Sequence, residues 1–261
     1  MTRRLLSFAF VGVALGASLA AQGQTPRAVA PIDLTGTWVS IVTEDWRFRM
    51  VTPPKGDTAS LPLNQAGTAA AENWDYQKDI AAGDQCKPFG AGGIMHMPVR
   101  LHITWQDANT LKMDIDNGTQ TRLFHFDRGA QPPAQPDWQG FSVANWETMA
   151  EGQGQAGGGG RGGNAPLSGG LKVVTTRMKS GYMRRNGVPY SANATLTEYY
   201  DTTREPNGDQ WLVLTSSLDD PMYLNLPYFA TRHYKKEADG TKFQPRPCEM
   251  TPPVDGTGDG R

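Results

Sequence analysis

Three polar residues that lie far apart in the sequence could together do chemistry: Arg122, Tyr190 and Glu198. Arg122 falls on the apolar face of a predicted strand, and a buried guanidinium needs a partner because an unpaired buried charge is costly. Glu198, on another alternating strand, can be that partner. If both face a cavity with Tyr190, they could bind a carboxylate or polarise a carbonyl, with Glu198 as acid or base. The alternatives are a structural ion pair or two surface side chains.

The histidines show no metal-binding spacing. The chain contains His96, His102, His125 and His233, and none of them forms a His-Glu-x-x-His or similar pattern. We therefore predict no metal site and expect no cofactor. His102 becomes a catalytic candidate only if the register of its strand turns it inward.

Two glycine-containing motifs also fail their structural requirements. The segment 140–144 is similar to a nucleophile elbow around Ser142, but it lacks the second glycine and the following helix. The run Gly157 to Gly160 lacks the Gly-Lys-Ser/Thr ending of a phosphate-binding loop. We interpret Ser142 as structural and residues 150–170 as a flexible Gly-rich surface loop.

Arg122 is positioned by a predicted meander of three strands over residues 99–126. Asn117-Gly118 lies between alternating runs and favours a two-residue hairpin, in which both turn residues tolerate positive φ. This turn pairs Met113 with Arg122 and puts Arg122 on the same face as Phe124. Arg122 is therefore predicted to point inward.

The turn before this hairpin, at residues 106–109, leaves two registers open, because a slip of one residue exchanges the faces of the first strand. One register puts His102 beside Arg122. The other, which apolar burial favours, buries Leu101, Ile103 and Trp105.

A second hairpin is marked by the turn at 206–209. Its expected pairing puts Leu196, Glu198 and Tyr200 on one face with Trp211, Val213 and Thr215. The other face then holds Tyr199, Asp201, Leu212, Leu214 and Leu218. Either face could be the core.

One helix is predicted, from Asn64, which can cap it, to Ala82, with Gly83 ending it. The rest reads as strands and turns, so we expect a mainly β protein. The tail, residues 249–261, is rich in Gly, Pro and Asp and is predicted to be disordered.

The N-terminus indicates export from the cytoplasm. Arg3 and Arg4 precede an apolar run that ends in small residues, which predicts a signal peptide over 1–20 and a linker over 21–31. We expect no integral membrane segment after cleavage and a periplasmic or secreted product. In an oxidising compartment, Cys86 and Cys248 predict a disulfide. A net charge of -1 offers no footprint for nucleic acid.

Two resemblances bear on the fold. Gly36-x-Trp38, the meander and the late Arg232 resemble the lipocalin and fatty-acid-binding barrels, in which a Trp closes one end and an Arg packs across it. Residues 32–248 also resemble a group of uncharacterised bacterial exported proteins. That second resemblance rests on Cys86–Gly90, Thr121-Arg122, Trp138–Glu147, Gly187–Ser191, Thr197-Glu198 and Asp219–Pro221. Together they imply a single antiparallel lipocalin-like β-barrel over 32–248 with one helix. A β-sandwich is the alternative.

The lipocalin resemblance implies binding of a small, largely apolar molecule inside the barrel. The expected ligand-binding residues are Trp105, Arg122, Phe124, Tyr190, Glu198 and Arg232. A second hypothesis is a cofactor-independent enzyme, such as an isomerase, cyclase or hydro-lyase, that uses Arg122, Glu198, Tyr190 and His102. A third is a protein-interaction module, which predicts a filled barrel and an exposed apolar patch.

Overall fold

The computed structural model describes residues 24–127, 129–148 and 169–254. The predicted signal peptide and residues 255–261 of the predicted tail lie outside the described residues, and so does the Gly-rich loop up to residue 168. Within the described ranges the chain forms eleven strands. They are β1 (Gly36–Ser40), β2 (Arg100–Trp105), β3 (Thr110–Ile115), β4 (Gln120–His125), β5 (Phe141–Thr148), β6 (Gly169–Thr176), β7 (Gly181–Arg184), β8 (Val188–Tyr190), β9 (Thr195–Arg204), β10 (Gln210–Asp219) and β11 (Tyr228–Lys236).

Nine of these strands close into one barrel, in the order β1-β11-β10-β9-β6-β5-β4-β3-β2. The protein is therefore mainly β, and the barrel is closed instead of split into a sandwich. Every neighbouring pair is antiparallel except β4 and β5, which run parallel with Phe124 opposite Ser142. The expectation of a wholly antiparallel barrel is wrong here, because β5 starts at the same end of the barrel as β4 and therefore runs in the same direction.

The helical part of the chain also differs from the prediction. The expected helix is broken into α2 (Gln65–Asn73) and α3 (Tyr76–Ala82), and two short helices, α1 (Trp46–Arg49) and α4 (Ala91–Ile94), occur as well. Asn64 caps α2 as predicted, by accepting a hydrogen bond from the Gly67 N–H. The break arises because Asp75 is extended and its carboxylate accepts the N–H groups of Gln77 and Lys78, which starts a new helix.

The meander has the predicted register. Met113 lies opposite Arg122, and both residues are buried. The left-handed conformation falls on Gly118 and Thr119, not on Asn117, so the turn differs from the one expected. The first strand takes the register favoured by apolar burial, which puts Leu101, Ile103 and Trp105 on the inner side.

The second hairpin has a register one residue away from the expected one. Glu205 donates its N–H to the Asp209 carbonyl, which leaves a three-residue turn with Gly208 at φ 91°. Tyr200 therefore lies opposite Leu214. The shift brings Leu212, Leu214 and Leu218 to the same buried face as Leu196, Glu198 and Tyr200, and turns Trp211 and Val213 to the other face.

The core has two parts. The first fills the barrel, and at one end of it Trp105, Phe126 and Trp146 pack on one another. The second lies at the opposite end, which we call the helix end, where α2, α4 and the β7–β8 hairpin pack against the barrel. No helix within the described ranges is long and apolar enough to cross a bilayer.

A disulfide joins Cys86 and Cys248, as predicted, with the two Cα atoms 5.2 Å apart. It ties the segment before α4 to the C-terminal segment. Residues 249–254, which we assigned to the disordered tail, pack nearby: Met250 is buried and Thr251 hydrogen bonds Thr52. At the other end of the chain, Pro26 of the predicted linker accepts a hydrogen bond from Trp146. Gly169 and Gly170, assigned to the Gly-rich loop, belong to β6.

Removal of this disulfide is expected to destabilise the protein. The bond closes a loop of 162 residues, so Cys86→Ser with Cys248→Ser should lower the free energy of unfolding by about 2–5 kcal/mol. Urea denaturation of the oxidised wild type and the double variant measures the difference. Equal midpoints would contradict a stabilising role.

Candidate functional site

Arg122 and Glu198 form a buried ion pair in the barrel. The guanidinium donates to both carboxylate oxygens, with Nη1 to Oε1 at 2.8 Å and Nη2 to Oε2 at 2.5 Å. Their side chains are 0% and 1% exposed. Burial alone would lower the pKa of Arg122, but the adjoining carboxylate raises it by more, so the guanidinium stays charged.

Hydroxyl groups supply further hydrogen bonds to this pair, although Arg122 Nε is buried without a partner. Tyr200 donates its hydroxyl to Glu198 Oε1 at 3.0 Å, and Arg122 Nη2 donates to the Thr175 hydroxyl at 3.3 Å. Ser142, the residue of the elbow-like motif, hydrogen bonds Thr175 at 2.7 Å. Ser142 therefore supports the ion pair from the next strand and faces no base among its described contacts.

The barrel is filled around the ion pair. Phe124, Met113, Leu214 and Tyr234 are fully buried, and Phe124 lies under the Arg122 guanidinium at 5.1 Å. A void that admitted water would leave accessible surface on the side chains around it. These described residues therefore leave no room for a ligand beside Arg122, and both carboxylate oxygens are already used.

The other residues predicted for the site lie elsewhere. His102 is on the outer side of β2, opposite Asp114 and beside Phe243. Tyr190 belongs to the apolar cluster at the helix end, and Trp105 packs at the far end of the barrel. Arg232 points inward near the helix end. The structure thus brings together Arg122, Glu198 and Phe124 from the predicted set.

Arg232 belongs to a second group of charges that sequence analysis missed. Strand β1 ends at Ser40, opposite Tyr234, whereas β11 begins at Tyr228 and so extends beyond it. Segments beside this extension bring Arg49 and His96 close. Arg49 donates from Nε to the His96 carbonyl at 3.0 Å and from Nη1 to the Ile41 carbonyl.

The end of β7 and the turn that follows it supply two more arginines. Arg184, the last residue of β7, donates to the carbonyls of Asp57 and Ala59, both at 3.1 Å, and lies over the Phe48 ring. Arg185 donates to the Arg49 carbonyl. We call Arg49, Arg184, Arg185 and Arg232 the arginine cluster. Arg49, Arg184 and Arg232 lie near His96, and Arg185 joins them through its hydrogen bond to Arg49.

Positive charge in the arginine cluster is only partly balanced. Asp45 lies 3.3 Å from Arg232, while Glu44 pairs with His233 and Asp57 with Arg47. Most guanidinium hydrogen bonds in the cluster go to neutral carbonyls instead. In the cluster and the adjoining His96, four buried nitrogens have no hydrogen-bond partner: Arg49 Nη2, Arg185 Nε, Arg232 Nε and His96 Nδ1. Glu44 Oε2 is also unpartnered.

Burial changes the titration of this cluster. It lowers the pKa of Arg49, Arg184 and Arg185 from their ordinary value. Burial, followed by repulsion from Arg232 and Arg49, lowers the pKa of His96 well below 6.5, so this imidazole is neutral. An anion placed here would relieve both effects. Metal binding has no comparable support, since no group of three or more His, Cys, Asp or Glu in the described ranges could hold an ion.

Sequence reasoning missed this cluster because its members come from three separate segments of the chain. The Arg184-Arg185 doublet and the Arg47-x-Arg49 pattern were the available signals. Neither shows which arginine is buried, because a charged doublet in a turn is usually solvated.

Breaking the central ion pair should be costly. Glu198→Gln leaves a buried guanidinium without its counter-charge and is expected to lower the free energy of unfolding by about 3–5 kcal/mol. The matched control, Glu147→Gln, removes an exposed carboxylate and should cost about 1 kcal/mol or less. Chemical denaturation of both variants measures the costs. Similar costs would show that burial of the pair does not govern stability.

His96 should make the fold sensitive to acid. Its pKa is depressed in the folded protein, whereas the unfolded chain takes up a proton near pH 6.5. Stability is therefore expected to fall as the pH drops below about 6.5. His96→Gln should reduce the slope of unfolding free energy against pH between neutral and mildly acidic conditions. A slope as steep as that of the wild type would contradict this assignment.

No protein-family model, curated protein or solved structure matches the chain. The resemblance to lipocalin-like and exported proteins therefore stays a prediction.

Proposed function

We propose that the protein binds a small molecule that carries a carboxylate or phosphate group, and that the arginine cluster holds this group. One observation carries the proposal: Arg49, Arg185 and Arg232 each have a buried N–H group without an acceptor. Unpaired buried charge is costly, and native proteins usually satisfy such groups with a ligand, ion or water.

Arginine suits this role because its planar fork of N–H donors matches the two oxygens of a carboxylate or phosphate. The donors come from separate elements: Arg49 from α1, Arg185 from the β7–β8 turn and Arg232 from β11. The charges of Arg49 and Arg232 are close enough to repel each other, and Arg185 is tied to Arg49 through the Arg49 carbonyl. A bound anion would connect these elements through charge-assisted hydrogen bonds. The unpartnered N–H groups can bind an anion without taking a donor from any carbonyl.

Asp45 places a carboxylate at the exposed edge of the arginine cluster. Asp45 reaches Arg232, but its side chain is 53% exposed and held at 3.3 Å, so a carboxylate from solution could take its place. Trp46 and Met50 flank this position and are exposed. The largely apolar molecule expected from sequence is thus retained as the body of the ligand, with its anionic end in the cluster.

Export and a lipocalin-like role remain parts of this proposal. The disulfide supports an oxidising compartment, the periplasm or the exterior. The closed barrel and the buried Trp38 support the likeness to lipocalins, although the cation over the Trp38 ring is Lys236, at 5.1 Å, and not Arg232. Binding at the barrel end, beside the helices, follows because the interior is filled.

The structure gives less support to the enzyme hypothesis and to the interaction hypothesis. The enzyme hypothesis required convergence of Arg122, Glu198 and Tyr190, with His102 as an optional member. Tyr190 belongs instead to the cluster at the helix end, and His102 lies on the outer side of β2. The interaction hypothesis expected a filled barrel and an exposed apolar patch. Leu226 and Phe229 are 68% and 67% exposed, but nothing in the structure shows what would cover them.

Calorimetric titration tests the proposal. Inorganic phosphate, benzoate and 3-phenylpropanoate are titrated into the oxidised protein, and at least one should bind with an affinity that falls with added salt. Arg232→Gln is expected to weaken that binding by about tenfold or more, since a charged hydrogen bond contributes about 1.5–3 kcal/mol.

Arg204→Gln, at the exposed end of β9, is the matched control and should bind like the wild type. Tighter binding of phosphate than of both carboxylates would identify a phosphoryl ligand. Tighter binding of either carboxylate than of phosphate would identify a carboxylic acid. Absence of binding by the folded wild type, or equal binding by the Arg232 variant, would overturn the proposal.

A further inference from the structure

A small aromatic pocket lies at the helix end, apart from the arginine cluster. It encloses about 220 Å³ between α2 and the β7–β8 hairpin. We define the aromatic pocket by its ring-bearing walls, Trp74, Tyr182, Tyr190 and Tyr223. Ala70, Lys87, Ser180, Gly181, Gly187 and Pro189 complete its lining. None of the four cluster arginines lines it, so the inference does not depend on the anion site.

Glycine allows the rings to approach the backbone. A Cβ atom at Gly187 would come 2.0 Å from Trp74 Cγ, and one at Gly181 would come 2.6 Å from the Tyr190 hydroxyl. Trp74 and Tyr182 meet edge to face, with ring centroids 6.3 Å apart. The aromatic rings therefore pack directly on the backbone of Gly181 and Gly187, where a larger residue would not fit.

The charges behind the pocket are already matched. Asp79 accepts hydrogen bonds from Trp74 Nε1 at 2.8 Å, Tyr182 at 2.6 Å and Lys87 at 2.8 Å. Lys87 also pairs with Asp84 at 2.9 Å. Because these groups satisfy one another, the pocket presents no free charge that would select an ionic ligand.

Hydrogen-bond donors do remain. An ammonium has three N–H donors, and Lys87 uses two of them on carboxylates. The Tyr190 hydroxyl is not among these donors, because it is buried against Gly90. Ser180 and Tyr223 add hydroxyls at the pocket wall. A ligand that fits would offer hydroxyl or ether oxygens together with an apolar face for the rings.

We infer that the aromatic pocket binds a small neutral ring with hydroxyl groups, the chemistry of a single pyranose sugar unit. Such a ring has C–H faces that pack on Trp and Tyr, and oxygens that accept from Lys87 and from the hydroxyls of Ser180 and Tyr223. The volume agrees with one ring, because it is below the range of about 300–1,000 Å³ that holds drug-sized ligands.

Ligand-observed NMR on the oxidised protein tests this inference with glucose, galactose, mannose and N-acetylglucosamine. At least one sugar should bind in the millimolar range. Ala70→Leu fills the pocket from α2 and is expected to weaken binding about tenfold or more. Ala69→Leu adds the same side chain to an exposed position of the same helix and is expected to bind like the wild type.

Ser180→Leu obstructs the pocket from the hairpin side and gives an independent second variant. If Ala70→Leu lowers the melting temperature, the binding measured with Ser180→Leu is used in its place. Loss of binding in the folded blocking variant, with retention in Ala69→Leu, supports the inference. Absence of sugar binding by the wild type, equal binding by the blocked variants, or stronger binding of phenol than of any sugar would overturn it.

Discussion

The barrel is organised around one buried ion pair. Arg122 and Glu198 are removed from water, so every charge-bearing atom has to find a partner inside the protein or cost several kcal/mol. Tyr200, Thr175 and Ser142 satisfy most of these requirements from neighbouring strands. Apolar side chains then close the remaining space. The filled interior leaves the helix end of the barrel as the place of both proposed binding sites.

The helix end carries the features that the barrel core lacks. There, β11 and segments outside the barrel supply arginines without full counter-charge, and the β7–β8 hairpin contributes to both the arginine cluster and the aromatic pocket. The Cys86–Cys248 bond fixes the adjacent chain. One short hairpin thus connects a proposed anion site to a proposed neutral site, with Arg184 at the end of its first strand, Arg185 in its turn and Tyr190 on its last strand.

Turn residues predict the strand register correctly in one hairpin and incorrectly in another. Asn117-Gly118 predicts the correct pairing of Met113 with Arg122, although the positive φ angles fall one position later. At residues 206–209 the same reasoning fails, because a three-residue and a four-residue turn are both compatible with the sequence. The structure chooses the shorter turn, since only that register buries Leu212 and Leu214.

The sequence by itself determined the mainly β character, the disulfide and the inward position of Arg122. The alternation of apolar and polar residues and the Asn117-Gly118 turn are local signals that can be read from neighbouring residues. The disulfide follows because the chain has only two cysteines, which leaves one possible pairing. Only the tertiary structure decided the parallel β4–β5 pair, the filling of the barrel and the arginine cluster. Burial of Arg49 or Arg232 depends on which distant segments pack around it, and local patterns carry no information about that packing.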